Sequence, residues 1–446
     1  MSKFDMFKKK AGWAALAGML ALTACADDEP TLTPGQLTGE RISVLAFESK
    51  IEADPRIQSV KVSLPAPYVN DAWPTAGGYP SHAMHHLALP GPLRKQWSAT
   101  IGVGSWDFGQ LLAPPIIVGS IVFAMDAEGR VSALDLEDGS IYWTMNLSRK
   151  GEQADENFGG GLAYDNGLLF VSTGLGRVVA IDPMRAQLVW EHDFKLPFRA
   201  APSAADGRVF VITHDNQLFA LDAKTGDTIW DHQVIVEGAG LLGNSSPAVQ
   251  DDTLVAPFTS GELVAIRVQN GRVAWQDILT RTGRLTSLST LSDIAGRPVI
   301  DRGRVFAVSH SGRMVSIDLT TGERVWTRNI AATQTPWIAG DYVYVVTSEA
   351  EVVCLNWSDG RVRWVTGLER WEDPADQDGL IVWSGPVLGS DRLIVASSTG
   401  KMVALSPYTG AKLGTLNTAH GTYVPPIVAQ GMLLVLDDEG DLTAYR

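Results

Sequence analysis

Short apolar runs separated by polar turn residues recur along most of this chain. Four such runs follow one another at residues 116–118, 121–124, 131–134 and 141–144. They are rich in valine, isoleucine and aromatic residues, and the segments at 126–129 and 137–139 have the composition of turns. The pattern therefore predicts four antiparallel strands joined by short turns.

This four-strand unit repeats along the sequence. The clearest copies contain Ala-x-Asp-x-x-x-Gly-x-x-x-Trp, and successive tryptophans lie 38 to 51 residues apart, a spacing typical of one propeller blade. The anchors are Trp97, Trp143, Trp190, Trp230, Trp275, Trp326 and Trp364, with Gly414 in the eighth place. We interpret these residues, and the small residues and glycines that accompany them, as scaffold, because a tryptophan at a fixed place in each blade can fill the gap between adjacent sheets.

The two ends of the repeat region complement each other. The last unit stops at Arg446 without a fourth strand, whereas residues 93–100, around Trp97, have the pattern of that missing strand. Donation of this strand to the last blade would close the ring and cover an exposed sheet edge. The predicted fold is all-β: an eight-bladed β-propeller of four-stranded antiparallel blades, closed by an N-terminal strand, over residues 70–446.

The first residues predict export. Four lysines precede an apolar run at residues 11–22, as in a secretory signal peptide. The following Leu22-Thr23-Ala24-Cys25 resembles the lipobox of bacterial lipoproteins, which implies cleavage after residue 24, acylation of Cys25 and a lipidated tether over residues 25–69. An aspartate directly after the acylated cysteine would resemble an inner-membrane retention signal, but this sequence has Ala26 there. We therefore expect the protein at the outer membrane, with the propeller facing the periplasm.

Two alternatives to lipidation are an ordinary signal peptide with an incidental cysteine and a transmembrane anchor. The apolar run of residues 11–22 is shorter than the roughly 20 residues that a membrane-spanning helix needs. The lipoprotein interpretation is therefore preferred.

Charge and cysteine content limit the functions that remain. The chain has 36 basic and 50 acidic residues, and removal of residues 1–24, with four lysines and one aspartate, leaves a net charge of −17. Such a surface disfavours nucleic acid as a partner. The two cysteines are Cys25 and Cys354, and the latter stands at a small-residue position, where we expect a buried free thiol.

Two kinds of enzyme are weighed against the sequence. The repeat motif resembles the tryptophan-docking motif of pyrroloquinoline quinone dehydrogenases, which implies an adjacent cysteine pair that this sequence lacks. A metal site could use His82, His85 and His86, but no carboxylate or cysteine flanks them in their segment, and a packing role is preferred. The acidic segment 369–379 lacks the ligand register of a calcium loop and is interpreted as a solvated loop. We expect no cofactor and no catalysis.

Taken together, the lipobox, the acidic tether and the eight tryptophan-anchored units resemble the BamB family of the outer-membrane β-barrel assembly machinery over residues 25–446. This resemblance implies an adaptor that binds the periplasmic POTRA domains of the barrel-inserting subunit BamA and assists unfolded outer-membrane proteins. The alternative function is a periplasmic quinone- or metal-dependent oxidoreductase.

The resemblance also implies where the partner binds. Family members use loops of two neighbouring central blades, and the corresponding segments here begin at Leu241-Leu242-Gly243 and at Leu291-Ser292-Asp293. Leu241 and Leu242 would supply apolar contact, and Asp293 would accept hydrogen bonds or a salt bridge from the partner. Leu242 replaces an arginine of the family pattern and Ala295 an aspartate. The alternative is that both segments are ordinary connections between blades.

Overall fold

In its computed structural model, the protein consists of short antiparallel strands. The structure describes residues 50–57, 59–106, 109–149, 151–152, 157, 159–236, 245–280 and 293–446. In these ranges there is no helix, and hence none long and apolar enough to cross a membrane. Cys25 and the expected signal peptide lie outside the described residues.

Eight four-stranded sheets form the blades, numbered 1 to 8 along the chain. Blades 1 to 4 consist of β2 Ile116–Val118, β3 Ile121–Met125, β4 Arg130–Asp135, β5 Ile141–Asn146; β6 Gly160–Asp165, β7 Leu168–Thr173, β8 Arg177–Asp182, β9 Gln187–Asp193; β10 Ser203–Ala205, β11 Arg208–Ile212, β12 Gln217–Asp222, β13 Thr228–Gln233; and β14 Ala248–Gln250, β15 Thr253–Pro257, β16 Glu262–Arg267, β17 Val273–Ile278.

Blades 5 to 8 follow the same order, and a two-stranded hairpin lies between blades 6 and 7. These strands are β18 Val299–Asp301, β19 Arg304–Val308, β20 Met314–Asp318, β21 Arg324–Arg328; β22 Trp337–Ala339, β23 Tyr342–Val346, β24 Glu351–Asn356, β25 Val362–Gly367; the hairpin β26 Trp371–Asp373 and β27 Asp378–Leu380; β28 Trp383–Gly389, β29 Arg392–Ser397, β30 Lys401–Leu405, β31 Lys412–Asn417; and β32 Ile427–Ala429, β33 Met432–Leu436, β34 Asp441–Tyr445, which are completed by β1 Lys95–Thr100.

The predicted closure is confirmed. Strand β1 pairs antiparallel with β34 and forms the outer strand of blade 8, with Trp97 opposite Ala444. The first strand of the propeller and its last strand therefore lie in one sheet. The eight-bladed, all-β architecture is the one that the repeat pattern predicts.

Burial explains the different composition of inner and outer strands. The second strand of each blade is buried along nearly its whole length, as in β3 and β15, because neighbouring blades cover both faces of the sheet. The outer strand is mostly exposed, and in β13 and β17 the anchor tryptophan is its one buried residue. This arrangement places the core between the blades.

The anchor tryptophans connect seven of the eight pairs of neighbouring blades, and Gly414 holds the corresponding position in blade 7. All seven indole N–H groups donate to a backbone carbonyl of the following blade, at 2.8 to 3.1 Å: Trp97 to Leu136, Trp143 to Pro183, Trp190 to Ala223, Trp230 to Val268, Trp275 to Leu319, Trp326 to Trp357 and Trp364 to Pro407. Within its own sheet each tryptophan lies opposite a small residue, as Trp190 does opposite Ala180. The scaffold interpretation of the repeat is confirmed.

A segment that precedes β1 lies across the inner strands, and we call residues 70–87 the plug. It exchanges backbone hydrogen bonds with blades 1, 2, 4, 5, 7 and 8: Trp73 with Ile117, Pro74 with Tyr164, Pro80 with Val249, Ser81 with Ile300, Leu87 with Ser390 and Asn70 with Gln430. The contacts lie at the turn between the first and second strands, or at the end of the first strand near it. The plug therefore covers the central channel at that end.

Residues 51–69, which the sequence pattern assigns to the tether, also contact the propeller. The Asp54 amide donates to the Val362 carbonyl at 2.8 Å, and the Tyr68 amide donates to the His86 carbonyl at 3.0 Å. Residues 51–446 form one compact unit.

Candidate partner-binding face

The propeller has two different faces. Turns inside an antiparallel meander alternate between its ends. The plug and the turns between first and second strands lie at one end of each blade. The turns between second and third strands, together with the connections from one blade to the next, lie at the other end, which we call the connection face. The segments expected to bind a partner are blade-to-blade connections, so they belong to the connection face.

The structure brings together the described ends of the two expected partner-binding segments. Ser245 is the first described residue of the first segment, residues 241–247, and its hydroxyl donates to the carbonyl of Gly296 in the second, residues 291–298, at 3.2 Å. Ser245 and Asp293 line the same cavity of the connection face. Leu241 and Leu242 lie outside the described residues, as do Leu291 and Ser292.

The cavity gathers charged groups from three neighbouring blade connections and turns. Arg199 and His214 line it together with Asp293. Burial lowers the pKa of the Arg199 guanidinium from its ordinary value of 12.5. The cavity measures about 50 Å³, whereas small-molecule sites usually exceed about 300 Å³. The arrangement is a polar depression in a surface and is too small for a quinone cofactor.

Asp293 differs from its expected setting. The sequence interpretation placed it on a loop with its carboxylate available to a partner, but the residue is 3% exposed. Its backbone carbonyl accepts a hydrogen bond from the amide of His310 at 2.9 Å, which holds it against the turn between the second and third strands of blade 5. A turn of the neighbouring strand pair therefore covers the residue, so Asp293 forms part of the cavity wall.

The histidines of the plug bind backbone groups. His82 Nδ1 lies 2.8 Å from the Pro298 carbonyl, and the two ring nitrogens of His86 each lie 2.6 Å from a carbonyl, of Pro65 and of Ser390. His85 Nε2 is 3.8 Å from Asp301. In the described ranges no three histidine, cysteine or acidic side chains are placed to hold a metal ion.

The acidic segment after blade 6 forms the hairpin β26–β27, whereas the sequence interpretation expected an irregular loop. Its strands pair Trp371 with Leu380 and Asp373 with Asp378. Asp373 Oδ1 accepts the amides of Ala375 and Asp376, so this carboxylate closes its own turn. The hairpin is an exposed acidic projection of the connection face.

Cys354 is a buried residue opposite Trp364 in blade 6. Burial in this apolar position raises the pKa of its thiol, so the thiolate that nucleophilic chemistry needs is disfavoured. The expected buried free thiol is confirmed.

A family model described as outer membrane protein assembly factor BamB matches residues 127–366. This match covers more than half of the chain and includes both segments of the connection-face cavity. The chain belongs to the BamB family.

Individual relatives agree with this assignment. Outer membrane protein assembly factor BamB of Yersinia pestis is 25% identical over 79% of this chain and 88% of that protein. An uncharacterised protein of Rickettsia conorii is 27% identical over 60% of this chain, and the alignment spans 66% of that protein's length. BamB relatives therefore align over most of their own length, whereas the alignment with the Rickettsia protein covers just under two thirds of its length.

Solved structures show the same fold. BamB from Moraxella catarrhalis aligns with a TM-score of 0.67 at 21% identity, covering 80% of this chain and all of that one. A europium-containing methanol dehydrogenase aligns with a TM-score of 0.65 at 15% identity, over 82% and 89% of the two chains. At these identities the alignments show the fold alone. The BamB-family chain has cysteines at 25 and 354 and thus no adjacent pair.

Sequence reasoning missed several residues that the structure places in cavities. Arg199 lies in an ordinary blade connection and has no motif, so no linear signal marks it as a neighbour of Asp293. His214 also has no motif, and it is exposed while also bordering the cavity. In this BamB-family propeller, contacts between blades decide which residues share a site.

Proposed function

We propose that this protein is an adaptor in the assembly and insertion of outer-membrane β-barrel proteins, and that its connection face binds the POTRA domains of a BamA-like barrel-inserting subunit. Membership of the BamB family supports a role in outer-membrane protein assembly. Unfolded outer-membrane proteins are proposed as further ligands. The protein supplies a binding surface and carries out no reaction.

We also propose that acyl chains on Cys25 hold the protein on the periplasmic side of the outer membrane. The lipobox resemblance of residues 22–25 supports this location. Each buried methylene contributes about 0.8 kcal/mol to membrane binding, so several chains together would anchor the protein stably.

The contact between Ser245 and Gly296 is the observation that carries the choice of surface. It joins the described ends of the two segments, which lie about 50 residues apart in the sequence, at one cavity. A partner domain on this cavity would meet both segments at once. Interface energy concentrates in a few residues that fill such depressions and become desolvated.

The residues around the cavity suit a mixed contact. Leu241 and Leu242 are proposed to supply the apolar part. Arg199 supplies a cation and Asp293 a carboxylate in the wall. Asp293 is 3% exposed, so we propose that it shapes and orients this wall. A donor group of the partner would meet its carboxylate at a partly desolvated position.

Capture of the BamA-like subunit from detergent-solubilised envelopes, with the full chain as bait, tests the proposal. Leu242→Asp should weaken capture at least tenfold, because it places a charge in the apolar contact. The matched control reverses Asp376 and Asp378 to lysine on the exposed hairpin, which lies on the same face but outside the cavity. Thermal unfolding should be nearly unchanged in both variants.

The two variants separate the possible outcomes. Loss of capture in the hairpin variant, with normal capture by Leu242→Asp, would place the partner on the hairpin and reject the cavity. Identification of the captured proteins by mass spectrometry tests the function itself. Absence of any β-barrel assembly subunit from the captured proteins would reject the adaptor proposal.

A further inference from the structure

A second cavity lies in the central channel, between the plug and the inner strands of blades 5 to 8. The plug contributes Trp73, Gly77 and His82 to its wall, and the segment before β18 contributes Arg297. The space is small, at about 30 Å³. Arg297 also belongs to the second partner-binding segment, residues 291–298, but none of these residues lines the connection-face cavity.

Arg297 is a buried cation without a counter-charge among the described residues. The residue is 6% exposed, and its backbone amide donates to Thr335 Oγ1 at 3.2 Å. Its Nε has no hydrogen-bond partner, and no carboxylate of the described ranges forms an ion pair with the guanidinium. Burial lowers the pKa of Arg297 to about 10, so the group is still cationic at neutral pH.

Trp73 provides a second unsatisfied donor in the same wall. The residue is 3% exposed, and its indole N–H has no partner within the described part of the chain. Its ring stacks on Trp337, with centroids 6.3 Å apart, which fixes the direction of this N–H group. A buried donor is usually satisfied by a partner, because an unmade hydrogen bond leaves the desolvation cost of the group uncompensated.

His82 contributes one neutral imidazole to the wall. Its Nδ1 faces the Pro298 carbonyl, which fixes the proton on that nitrogen. Burial, together with the charge of Arg297, lowers the pKa of His82 to about 3, so the ring is neutral at physiological pH. Its Nε2 is then an unprotonated acceptor without a partner among the described residues, so the wall carries one positive charge and two unsatisfied N–H donors against one acceptor.

We propose that this channel cavity binds one small anion, held by the guanidinium of Arg297 and the indole N–H of Trp73. A water molecule could accept the hydrogen bonds but would leave the buried positive charge uncompensated, and a buried charge is costly unless it is paired. The small volume favours a small anion such as a halide or formate. This inference does not depend on the proposed partner.

Thermal unfolding of the purified full chain in chloride tests the site, at constant ionic strength with the larger anion gluconate as replacement. Ligand that binds only the folded state raises its stability with the logarithm of ligand concentration. The unfolding temperature of the parent should therefore rise with chloride. Arg297→Met should abolish this rise, and Trp73→Phe, which deletes the N–H and keeps the ring, should weaken the apparent affinity about fivefold, as expected for one lost hydrogen bond.

Arg363→Met is the matched control. Arg363 is also 6% exposed and also has guanidinium nitrogens without a partner in the described ranges, but it does not line the channel cavity. This variant should respond to chloride as the parent does. In gluconate, Arg297→Met should be more stable than the parent, because it removes an uncompensated buried charge.

A crystal soaked in bromide supplies an independent measurement. Anomalous scattering should place bromide within hydrogen-bond distance of Trp73 Nε1 and the Arg297 guanidinium. Bromide at surface positions alone would mean an adventitious ion only and would overturn the proposal. An equal chloride response in the parent, Arg297→Met and Trp73→Phe would overturn it as well. If Arg297→Met does not fold, the bromide soak and the Trp73→Phe variant test the proposal.

Discussion

The indole N–H of Trp97 donates a 3.0 Å hydrogen bond to the carbonyl oxygen of Leu136. Trp97 belongs to the strand that completes blade 8, and Leu136 lies in the last turn of blade 1. The contact that links six other pairs of consecutive blades thus also links the last blade to the first. Closure of the ring depends on a residue that precedes blade 1 in the sequence.

Replacement of Trp97 by alanine should lower the free energy of unfolding by about 3–5 kcal/mol, because it removes a buried aromatic ring and its hydrogen bond at the closure. Lys95→Ala, at an exposed position of the same strand, is the matched control and should change little. Urea unfolding of both variants measures the difference. Equal midpoints would contradict the importance of this contact for closure.

Ala186 should be a site where glycine stabilises the protein. It has φ of +50° in a turn where six other blades have glycine with positive φ. An alanine in the left-handed conformation is strained by about 1–2 kcal/mol. Glycine removes this strain, and the larger conformational entropy that it gives the unfolded chain destabilises the fold by less than that amount. Ala186→Gly should therefore raise the unfolding midpoint slightly.

Gly139→Ala is the reciprocal control for this turn. A Cβ at Gly139 would lie 2.5 Å from the ring of Trp97, in addition to the strain of φ +75°. We expect a destabilisation of at least about 2 kcal/mol from strain and overpacking together. A midpoint for Gly139→Ala at or above that of the parent would contradict this explanation of the repeat glycine.

Stability should decrease in acid because of His82. Its pKa is lowered from 6.5 to about 3 by burial and by Arg297, so the unfolded state binds a proton that the folded state excludes. The stability that the neutral His82 contributes is fully present above pH 6.5 and is lost as the pH falls towards 3. Between pH 7 and pH 4 the loss should be on the order of 3 kcal/mol. His82→Asn should show a flatter pH dependence in urea titrations, and an unchanged slope would exclude His82 as the cause.

Cys25→Ser should give a folded protein in the wrong place. Residues 51–446 form one compact unit, whereas acyl chains on Cys25 are proposed to hold the protein to the membrane. Cell fractionation with a high-salt wash measures the location, and thermal unfolding checks the fold. Sedimentation of the serine variant with outer membranes would reject the anchor.

Much of the candidate site could not be predicted from sequence. The resemblance to BamB pointed to Asp293 and to the blade connections, but it did not indicate that Asp293 is buried. Its burial depends on the turn containing His310, which is covered by no motif. Likewise, the acidic segment forms a hairpin in which Trp371 pairs with Leu380 across a turn. Its charged composition did not indicate this hairpin.

The sequence by itself determined the number of blades, the four strands of each and the closing strand. Each blade is built from neighbours in the chain, and the repeated tryptophan, small residue and glycine fix one local geometry that stacks on its copy. The tertiary structure alone decided the path of the plug, the meeting of Ser245 with Gly296 and the pairing of Trp73 with Arg297 around one cavity. Those contacts join residues about 50 to more than 200 positions apart, and their geometry depends on how the blades are arranged around a common axis, which no local pattern encodes.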